Sequence, residues 1–356
     1  MSRPPDTQSD TMSTMRCTIV PPHLLERVAA SSTDPETRAR AVRTLVLDAS
    51  QRTERELAPV RRAGNGVRDE PRRTVKDARR REELPGLTVR SEGGEPTGDK
   101  AADEAYDWLG VSFRFFEDVY DHNSIDNAGL EMVSTVHYGV DYDNAFWNGE
   151  QMVYGDGDGR LFLSFTGPLD VTAHELAHGI TQYTANLAYY GQSGALNESV
   201  SDVMGSMVKQ FHLGQTAAEA DWLIGEGLFG PAVQGRALRS LKEPGTAYDD
   251  PELGKDPQPG HMDGYVRTSR DNGGVHINSG IPNRAFHLLS ASLGGYSWER
   301  AGRIWYDALT SDLLYPDTDF AGFAAATAEL AGTRYGAESA ERQAVLDAWN
   351  GVGVPL

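Results

Sequence analysis

The stretch VTAHELAHGITQYTANLAYYGQSGALNESVSDVMG, residues 171–205, carries the residues on which the predicted fold and function depend. We predict helices over residues 171–184 and 194–212, and the first places His174, Glu175 and His178 in the pattern H-E-x-x-H. Residues four apart lie on one face of a helix, so the two imidazoles can meet at one point. On the second helix, Glu198 and Asp202 repeat this spacing.

Two histidines and one carboxylate would give zinc three protein ligands and leave a fourth position for water, which is typical of a catalytic site. A third histidine six residues after His178 would indicate a metzincin, but Thr184 stands there. Glu198 has suitable chemistry and spacing for the third ligand. Its neighbours Asn197 and Asp202 could accept the second ring N–H of each histidine. The alternative is a pair of ordinary histidines on an amphipathic helix.

The composition is that of a soluble globular protein of about two domains, with 356 residues, 39% hydrophobic and 24% charged. No apolar run is long enough to span a membrane, and the net charge of −19 argues against nucleic acid as a partner. We expect a monomer. The N-terminus MSRPPDTQSDTMSTMR lacks the apolar region of a signal peptide. We therefore expect a cytoplasmic precursor, exported if at all by a non-standard route.

The chain divides into four predicted parts. Residues 1–50 form a small helical unit with Asp34 as a helix cap, and the basic residues 51–72 form an exposed linker that suits proteolytic cleavage. Residues 73–185 contain strands, among them LEMVSTVHYG, RLFLSFTG and a hairpin at Asn148-Gly149. Residues 186–356 are mainly helical, with further helices over 279–293, 297–313 and 317–334. The fold class is α+β, with two lobes and a cleft between them.

Four motifs in order, HYGVDYDNAFWNGEQMVYGDGDG, HELAHGITQYTA, GALNESVSD and DNGGVHINSGIPNRAF, resemble the thermolysin family of zinc metalloendopeptidases from about residue 72 onward. The N-terminal CTIVPPHLL is similar to the short propeptide of the protealysin-like branch. The resemblance implies a two-lobe zincin with the active-site helix between the lobes. It implies one catalytic zinc, and a neutral endopeptidase, made as a precursor, that cuts before large hydrophobic residues through a zinc-bound water.

The resemblance also implies individual roles. Zinc ligands would be His174, His178 and Glu198, and Glu175 would be the general base. His276, oriented by Asp271, and Tyr189 would stabilise the oxyanion. Asn144, Ala145 and Arg239 would bind the substrate backbone. The side chain just after the cut bond would lie in a pocket formed by Phe162, Phe165, Val171 and Leu238. Tyr189 could instead be an ordinary buried aromatic residue, and Arg239 a surface ion pair.

Two further expectations concern regulation and calcium. The propeptide is expected to inhibit the enzyme, either by packing of PPHLL or through a Cys17 thiolate on the zinc, although Cys17 could equally be a small buried residue. Asp170, Asp221 and Glu226 match acidic ligands of the family's double-calcium site, but Lys209 replaces a shared glutamate. We predict that Lys209 pairs with these carboxylates and that calcium binding is doubtful. The alternative has Lys209 in solvent beside an ordinary calcium ion.

Two other functions compete with the endopeptidase. A non-catalytic zinc protein would have no use for Glu175 beside the open ligand position. An aminopeptidase would need a G-A-M-E-N-like segment to hold a free amine, and the sequence has none. Peptides or proteins are the expected substrates, with the propeptide as an intramolecular partner.

Overall fold

The computed structural model describes residues 17–56 and 70–356. The main sheet lies in the first part of the chain and most of the helices lie in the second, which confirms the α+β class. In chain order the elements are β1 (Cys17–Thr18), α1 (Pro22–Ser31), α2 (Pro35–Glu56), β2 (Arg73–Asp77), β3 (Leu87–Ser91), α3 (Lys100–Tyr120), β4 (Met132–Val136), β5 (Ala145–Trp147), β6 (Met152–Tyr154), α4 (Leu169–Tyr183), α5 (Gly191–Leu213), β7 (Leu223–Ile224), β8 (Arg239–Ser240), β9 (Asp249–Asp250), β10 (Gly254–Lys255), a 3₁₀ turn (Met262–Gly264), α6 (Asp271–Asn278), α7 (Gly280–Leu293), α8 (Ala301–Leu309), α9 (Phe320–Tyr335) and α10 (Ala340–Gly351).

The N-terminal unit consists of strand β1 and helices α1 and α2. Pro22 stands in the first turn of α1, where the missing N–H costs nothing. Asp34 caps α2 by accepting the Thr37 N–H at 3.0 Å and the Glu36 N–H at 3.3 Å. Helix α2 continues to Glu56, six residues beyond the predicted end of the helical unit at residue 50.

The main sheet has six strands in the order β1-β5-β6-β4-β2-β3. Strands β5 and β6 form the antiparallel hairpin predicted at Asn148-Gly149, with Trp147 opposite Met152. Strand β4 lies parallel to β2 and to β6. Strand β1 adds antiparallel to β5, so the N-terminal unit supplies the edge strand of a sheet whose other strands all follow residue 70. This addition carries the N-terminal chain into the cleft.

Helices α4 and α5 pack against each other at the centre of the molecule, and nearly every residue of both is buried. They join one continuous apolar core that also contains residues of α1, α3 and α7 to α10. Within the described ranges, no helix is long and apolar enough to cross a membrane.

Two predicted elements differ from the structure, and one helix was not predicted. The segment RLFLSFTG forms only an isolated bridge between Phe162 and Phe229, because Asp158 Oδ1 accepts the backbone N–H groups of Arg160 and Leu161, at 2.8 and 2.7 Å, and bends the chain. The helix expected over 297–313 is shorter, Ala301–Leu309. Helix α10 was not predicted, although Ala344, Val345, Ala348 and Trp349 are buried at helical spacing.

Candidate metal centre and substrate cleft

The three expected metal ligands meet between helices α4 and α5. His174 and His178 lie one turn apart on α4, and their Nε2 atoms are 3.0 Å apart. Each faces Glu198 of α5: His174 Nε2 is 3.6 Å from Oε2, and His178 Nε2 is 3.5 Å from Oε1. All three side chains are buried. The one cluster of potential metal ligands found among the described residues is this set.

Each histidine is oriented by an acceptor on α5. His174 Nδ1 lies 2.9 Å from Asp202 Oδ1, and His178 Nδ1 lies 2.8 Å from Asn197 Oδ1. These are the two neighbours of Glu198 that the spacing suggested. Ser201, which sequence reasoning missed, places its Oγ 3.0 Å from His178 Nδ1. The four-residue interval from Asn197 to Ser201 is the sequence signal that could have indicated it.

The donor set fits zinc. When the Nδ1 atoms donate to Asp202 and Asn197, the facing Nε2 atoms of both histidines carry lone pairs. Those lone pairs converge with a buried carboxylate, so the cluster requires a cation to offset their mutual repulsion. Two imidazoles and one carboxylate suit zinc, and no thiolate is needed. Glu175, directly after His174 on the same helix, is also fully buried.

Across the cleft, His276 faces the same carboxylate. Its Nε2 lies 3.5 Å from Glu198 Oε2 and 3.2 Å from the hydroxyl of Tyr189, which itself donates to Glu198. Asp271 Oδ1 lies 2.6 Å from His276 Nδ1. Burial alone would lower the pKa of His276, but Asp271 and Glu198 outweigh burial and raise this pKa to about 9.

The turn that carries Asp271 depends on a glycine. Gly273 has φ of 86°, and a Cβ atom there would lie 3.0 Å from the backbone nitrogen of Gly191. This close approach holds the start of α6 against the start of α5. As a result, Asp271 accepts both the ring N–H and, at 3.0 Å, the backbone N–H of His276.

Arg239 and Asp202 form a buried ion pair behind the metal centre. The guanidinium Nη2 lies 2.8 Å from Asp202 Oδ1, and Nε lies 2.9 Å from Oδ2. Asn283, another residue not assigned a role from the sequence, donates to Asp202 Oδ2 at 2.8 Å. Burial would raise the pKa of Asp202, but Arg239 and His174 keep it below its ordinary range. Arg239 is 2% exposed, so it is not a surface ion pair.

The residues expected to hold a substrate backbone hold the N-terminal segment instead. Ile19 donates its N–H to Ala145 O at 3.0 Å and accepts from Arg239 Nη1 at 2.9 Å. Asn144 Oδ1 accepts the Val20 N–H at 2.9 Å. His276 Nε2 lies 2.9 Å from the carbonyl oxygen of Thr18. Residues 18–20 therefore run through the cleft, with the strand ending at Thr18 and the chain bending at Ile19 and Val20.

The four expected pocket residues are all buried, and they belong to the same apolar cluster as Ile19. They come from the bend after β6, from α4 and from the approach to β8: Phe162, Phe165, Val171 and Leu238. Phe162 and Phe165 contact each other with ring centroids 5.9 Å apart.

Helix α2 adds a second contact between the N-terminal unit and the catalytic lobes. Asp48 accepts from Asn144 Nδ2 at 3.0 Å and from the hydroxyl of Tyr142. Arg40 Nη1 lies 3.6 Å from Asp158, whose side chain is nearly inaccessible. Sequence reasoning missed these contacts, because their partners are about a hundred residues apart.

His23 of the PPHLL segment lies close to the catalytic cluster, which the sequence did not predict. Its Nε2 is 3.4 Å from the hydroxyl of Tyr248. Burial lowers the pKa of His23 to about 4; Asp271 opposes this shift, whereas His276 and Arg239 add to it.

Lys209, near the end of α5, lies among the three carboxylates expected around it. Its Nζ is 2.7 Å from Asp221 Oδ2, 3.3 Å from Glu226 Oε2 and 3.7 Å from Asp170 Oδ2. The lysine side chain is only 14% exposed. Burial would lower the pKa of Lys209, but the three carboxylates outweigh burial and raise it.

Two expectations fall on residues that the structure does not describe. The backbone of Cys17 pairs with β5, but its side chain is outside the described residues, as is most of the linker predicted over residues 51–72. A thiolate switch and a cleavage site in the linker stay predictions.

A buried His-His-Glu set between two packed helices, with a glutamate following the first histidine, defines a zinc metallopeptidase of the H-E-x-x-H class. Two family descriptions match the chain: thermolysin metallopeptidase, catalytic domain, over residues 52–182, and thermolysin metallopeptidase, alpha-helical domain, over residues 185–354. The chain therefore belongs to the thermolysin family of metallopeptidases.

Individual relatives agree. The chain is 51% identical over 346 residues to an extracellular metalloprotease of Pectobacterium carotovorum subsp. carotovorum, covering 96% of this chain and 97% of the relative. It is 44% identical over 345 residues to protease PrtS of Photorhabdus, covering 95% and 92%. The solved precursor of protealysin, a metalloproteinase from Serratia proteamaculans, superposes with a TM-score of 0.88 at 50% identity and covers 95% of this chain and 99% of that one.

These findings confirm a zinc-dependent neutral endopeptidase made as a precursor with a propeptide, and they decide against the non-catalytic alternative. They also show that the expectation of a cytoplasmic precursor was wrong. The Pectobacterium relative is named extracellular, which points to secretion. The expectation had rested only on the polar residues at the start of the sequence, which are weak evidence about export.

Proposed function

We propose that Glu175 is the general base and that His276 and Tyr189 stabilise the charge on the substrate carbonyl oxygen. His276 carries a proton at neutral pH, since its pKa is raised to about 9, and its Nε2 and the Tyr189 hydroxyl lie close together. Donors directed at a developing oxyanion contribute roughly 3 kcal/mol each. Asp271 acts through His276 by holding the ring.

His174, His178 and Glu198 would hold a zinc ion, which when bound would supply Lewis acidity for the activation of water and of the substrate carbonyl. Glu175 takes the proton of the attacking water and delivers it to the leaving nitrogen. Asp202 and Asn197 fix the imidazole tautomers, and Asp202 also holds Arg239 ready for the substrate. Arg239, Asn144 and Ala145 bind the substrate backbone.

The pocket formed by Phe162, Phe165, Val171 and Leu238 is proposed to hold a large apolar side chain just after the cut bond. Burial of a Leu or Phe side chain there contributes roughly 1.5 to 3 kcal/mol. A peptide-library digest should show cleavage on the N-terminal side of Leu, Ile and Phe. Preferred cleavage before Lys or Asp would contradict this assignment.

The propeptide is proposed to inhibit the enzyme by occupying the cleft as a substrate does. One observation carries this proposal: Ile19 and Val20 use the same Asn144, Ala145 and Arg239 that would bind a substrate backbone. Inhibition then requires only docking, and Cys17 is not needed. We expect Cys17→Ala to remain latent, whereas immediate activity of that variant would support a thiolate switch.

The test of inhibition uses the full chain and a fluorogenic peptide. Asp48→Ala removes the α2 contacts to Asn144 and Tyr142 and should raise the activity of the unprocessed precursor. Arg43→Ala, an exposed position on the same helix, is the matched control and should stay latent. Equal latency of both variants would show that α2 does not contribute to inhibition.

Lys209 is proposed to replace calcium, with its ammonium offsetting part of the charge of Asp170, Asp221 and Glu226. A single ammonium has three donors, whereas calcium takes six to eight oxygen ligands.

We further propose that the enzyme acts outside the cell on peptides and proteins, as a monomer.

A further inference from the structure

We propose that the active site cuts the propeptide between Thr18 and Ile19, producing a nicked precursor that stays latent. This rests on the proposed function, because it uses the same catalytic groups. The proposal concerns a specific bond of this chain, far from the basic linker. It follows from the register in which residues 18–20 lie in the cleft.

The register places the Thr18–Ile19 bond where a substrate bond is cut. The carbonyl oxygen of Thr18 lies 2.9 Å from His276 Nε2, which is the proposed oxyanion donor. The next peptide unit belongs to Ile19, whose carbonyl binds Arg239 and whose N–H binds Ala145 O. The cleft contacts to residues 18–20 thus divide at one bond, with the oxyanion donor on one side and the backbone-binding groups on the other.

The direction of strand β1 and the burial of Ile19 agree with this register. Strand β1 runs antiparallel to β5, with Thr18 opposite Phe146, so the chain passes along the edge strand without reversing. Ile19 is 0% exposed, and it belongs to the apolar cluster that contains the proposed pocket residues. A large apolar residue therefore follows the proposed cut, as the specificity requires.

The reaction is an ordinary hydrolysis. Water adds its oxygen to the Thr18 carbonyl carbon, and Glu175 takes the proton that the water loses. Glu175 returns this proton to the Ile19 nitrogen as the C–N bond breaks, and the second proton of the water passes from the new Thr18 carboxyl group to the amine. The products are a Thr18 carboxylate and an Ile19 ammonium group. Ala145 O, which already accepts the N–H of that nitrogen, holds the amine as it leaves.

The cut should not release the inhibitor, because its main contacts follow the bond. Val20 remains bound to Asn144, Asp48 binds Asn144 from α2, and Arg40 remains near Asp158. The fragment that begins at Ile19 also stays covalently joined to the catalytic lobes through the linker. A product that stays in place dissociates slowly, so the nicked chain remains an occupied enzyme.

The experiment incubates zinc-loaded full chain and follows intact mass and N-terminal sequence, with hydrolysis of a fluorogenic peptide measured in parallel. We expect a species that begins at Ile19, formed before activity rises. If the external peptide is cut but no Ile19 terminus forms before the linker is processed, the nick is refuted while the endopeptidase stands. If neither reaction occurs, the proposed function itself fails.

Variants separate this cut from contaminating proteases. Glu175→Gln should produce no Ile19 terminus, and Ile19→Leu should still produce a cut at the same bond, before Leu. Ile19→Asp should abolish the cut there, even if that precursor is less latent and is processed in the linker. An Ile19 terminus in Glu175→Gln would assign the cleavage to another protease and refute the proposal.

A binding measurement checks the register independently of turnover. The probe is a synthetic peptide of residues 17–22, with serine in place of Cys17, titrated calorimetrically into Glu175→Gln enzyme whose linker has been cut by added natural enzyme and whose propeptide has been removed. Its affinity should fall at least about tenfold when Asp replaces Ile19, because a buried carboxylate has no partner in an apolar pocket. Equal affinity of both peptides would show that Ile19 does not occupy the pocket.

Discussion

Helices α4 and α5 hold two clusters in which carboxylates or lone pairs need a positive charge, and the two clusters obtain that charge from different sources. Near the middle of the pair, His174, His178 and Glu198 direct lone pairs and a carboxylate at one point, and the cation must come from solution. Near the start of α4 and the end of α5, Asp170 meets two further carboxylates, and the cation is Lys209. The two clusters differ in the source of their positive charge: Lys209 supplies it from the chain itself, whereas the histidine and glutamate ligands face a point that a metal ion would fill.

The largest expected effect on activity comes from removing the proposed base beside the metal centre. Glu175→Gln should lower kcat by about 10²–10⁴, because the proton transfer is lost while the ligands remain. Zinc content, measured by plasma mass spectrometry, should stay at one ion per chain. Unchanged hydrolysis would show that Glu175 is not the base.

Removing a residue that orients a metal ligand should change the affinity for zinc. Asp202→Asn leaves the three ligands in place but weakens the orientation of His174, and we expect zinc affinity to fall by about 10–100-fold. Competition with a chromogenic chelator measures this affinity. Asp221→Asn, in the lysine cluster near the end of α5, is the matched control and should leave zinc affinity unchanged.

Protonation of His23 should weaken propeptide docking, because it adds a positive charge beside Arg239 and His276. In the lysine cluster, by contrast, the positive charge lies among carboxylates. His23 faces Arg239 and His276 as well as Asp271 and Tyr248, and docking holds its pKa near 4, below the ordinary value of 6.5. The neutral form is therefore the docked form. Docking is fully stable above about pH 6.5 and weakens as pH falls toward 4, with each pKa unit equivalent to about tenfold in the docking equilibrium.

The measurement for His23 is the rate at which the precursor becomes active between pH 7.5 and 5. That rate should rise by about tenfold or more in the natural chain and much less in His23→Gln, which cannot take up a proton. Parallel pH profiles for the two chains would rule out His23 as the origin of the acid dependence.

The smallest expected effect concerns calcium. EGTA should shift the melting temperature of zinc-supplemented protein by less than about 2 °C, since Lys209 already offsets the carboxylates. Lys209→Glu should create a calcium-dependent protein, stabilised by added calcium and destabilised by EGTA. A large calcium effect in the natural chain, abolished by Asp221→Ala, would refute the replacement of calcium by lysine.

Much of the metal centre could be predicted because its residues follow each other at short intervals along two helices. The interval from His174 to His178 determines a shared helix face, and the interval from Glu198 to Asp202 repeats it. The division into a strand-rich and a helical part also followed from residue patterns. Secretion did not, and it was indicated only by the name of a relative.

The contacts of the cleft were beyond sequence reasoning for a physical reason. Strand β1 has only two residues, and its partner β5 lies more than a hundred positions further along the chain. No periodicity marks such a pairing, and the same holds for Asp48 with Asn144. His23 was missed because the sequence gives no sign that it lies beside Arg239 and His276.

Occupation of the open edge of β5 by β1 has a consequence for the choice of protein substrates. Once the propeptide leaves, that edge can pair only with a segment that has already left its own hydrogen-bonded structure, because the cleft contacts both backbone faces of an extended chain. A folded target offers such a segment only during local unfolding. We therefore expect the rate of attack on a folded protein to follow that protein's own opening equilibrium, falling about tenfold for each 1.4 kcal/mol of local stability.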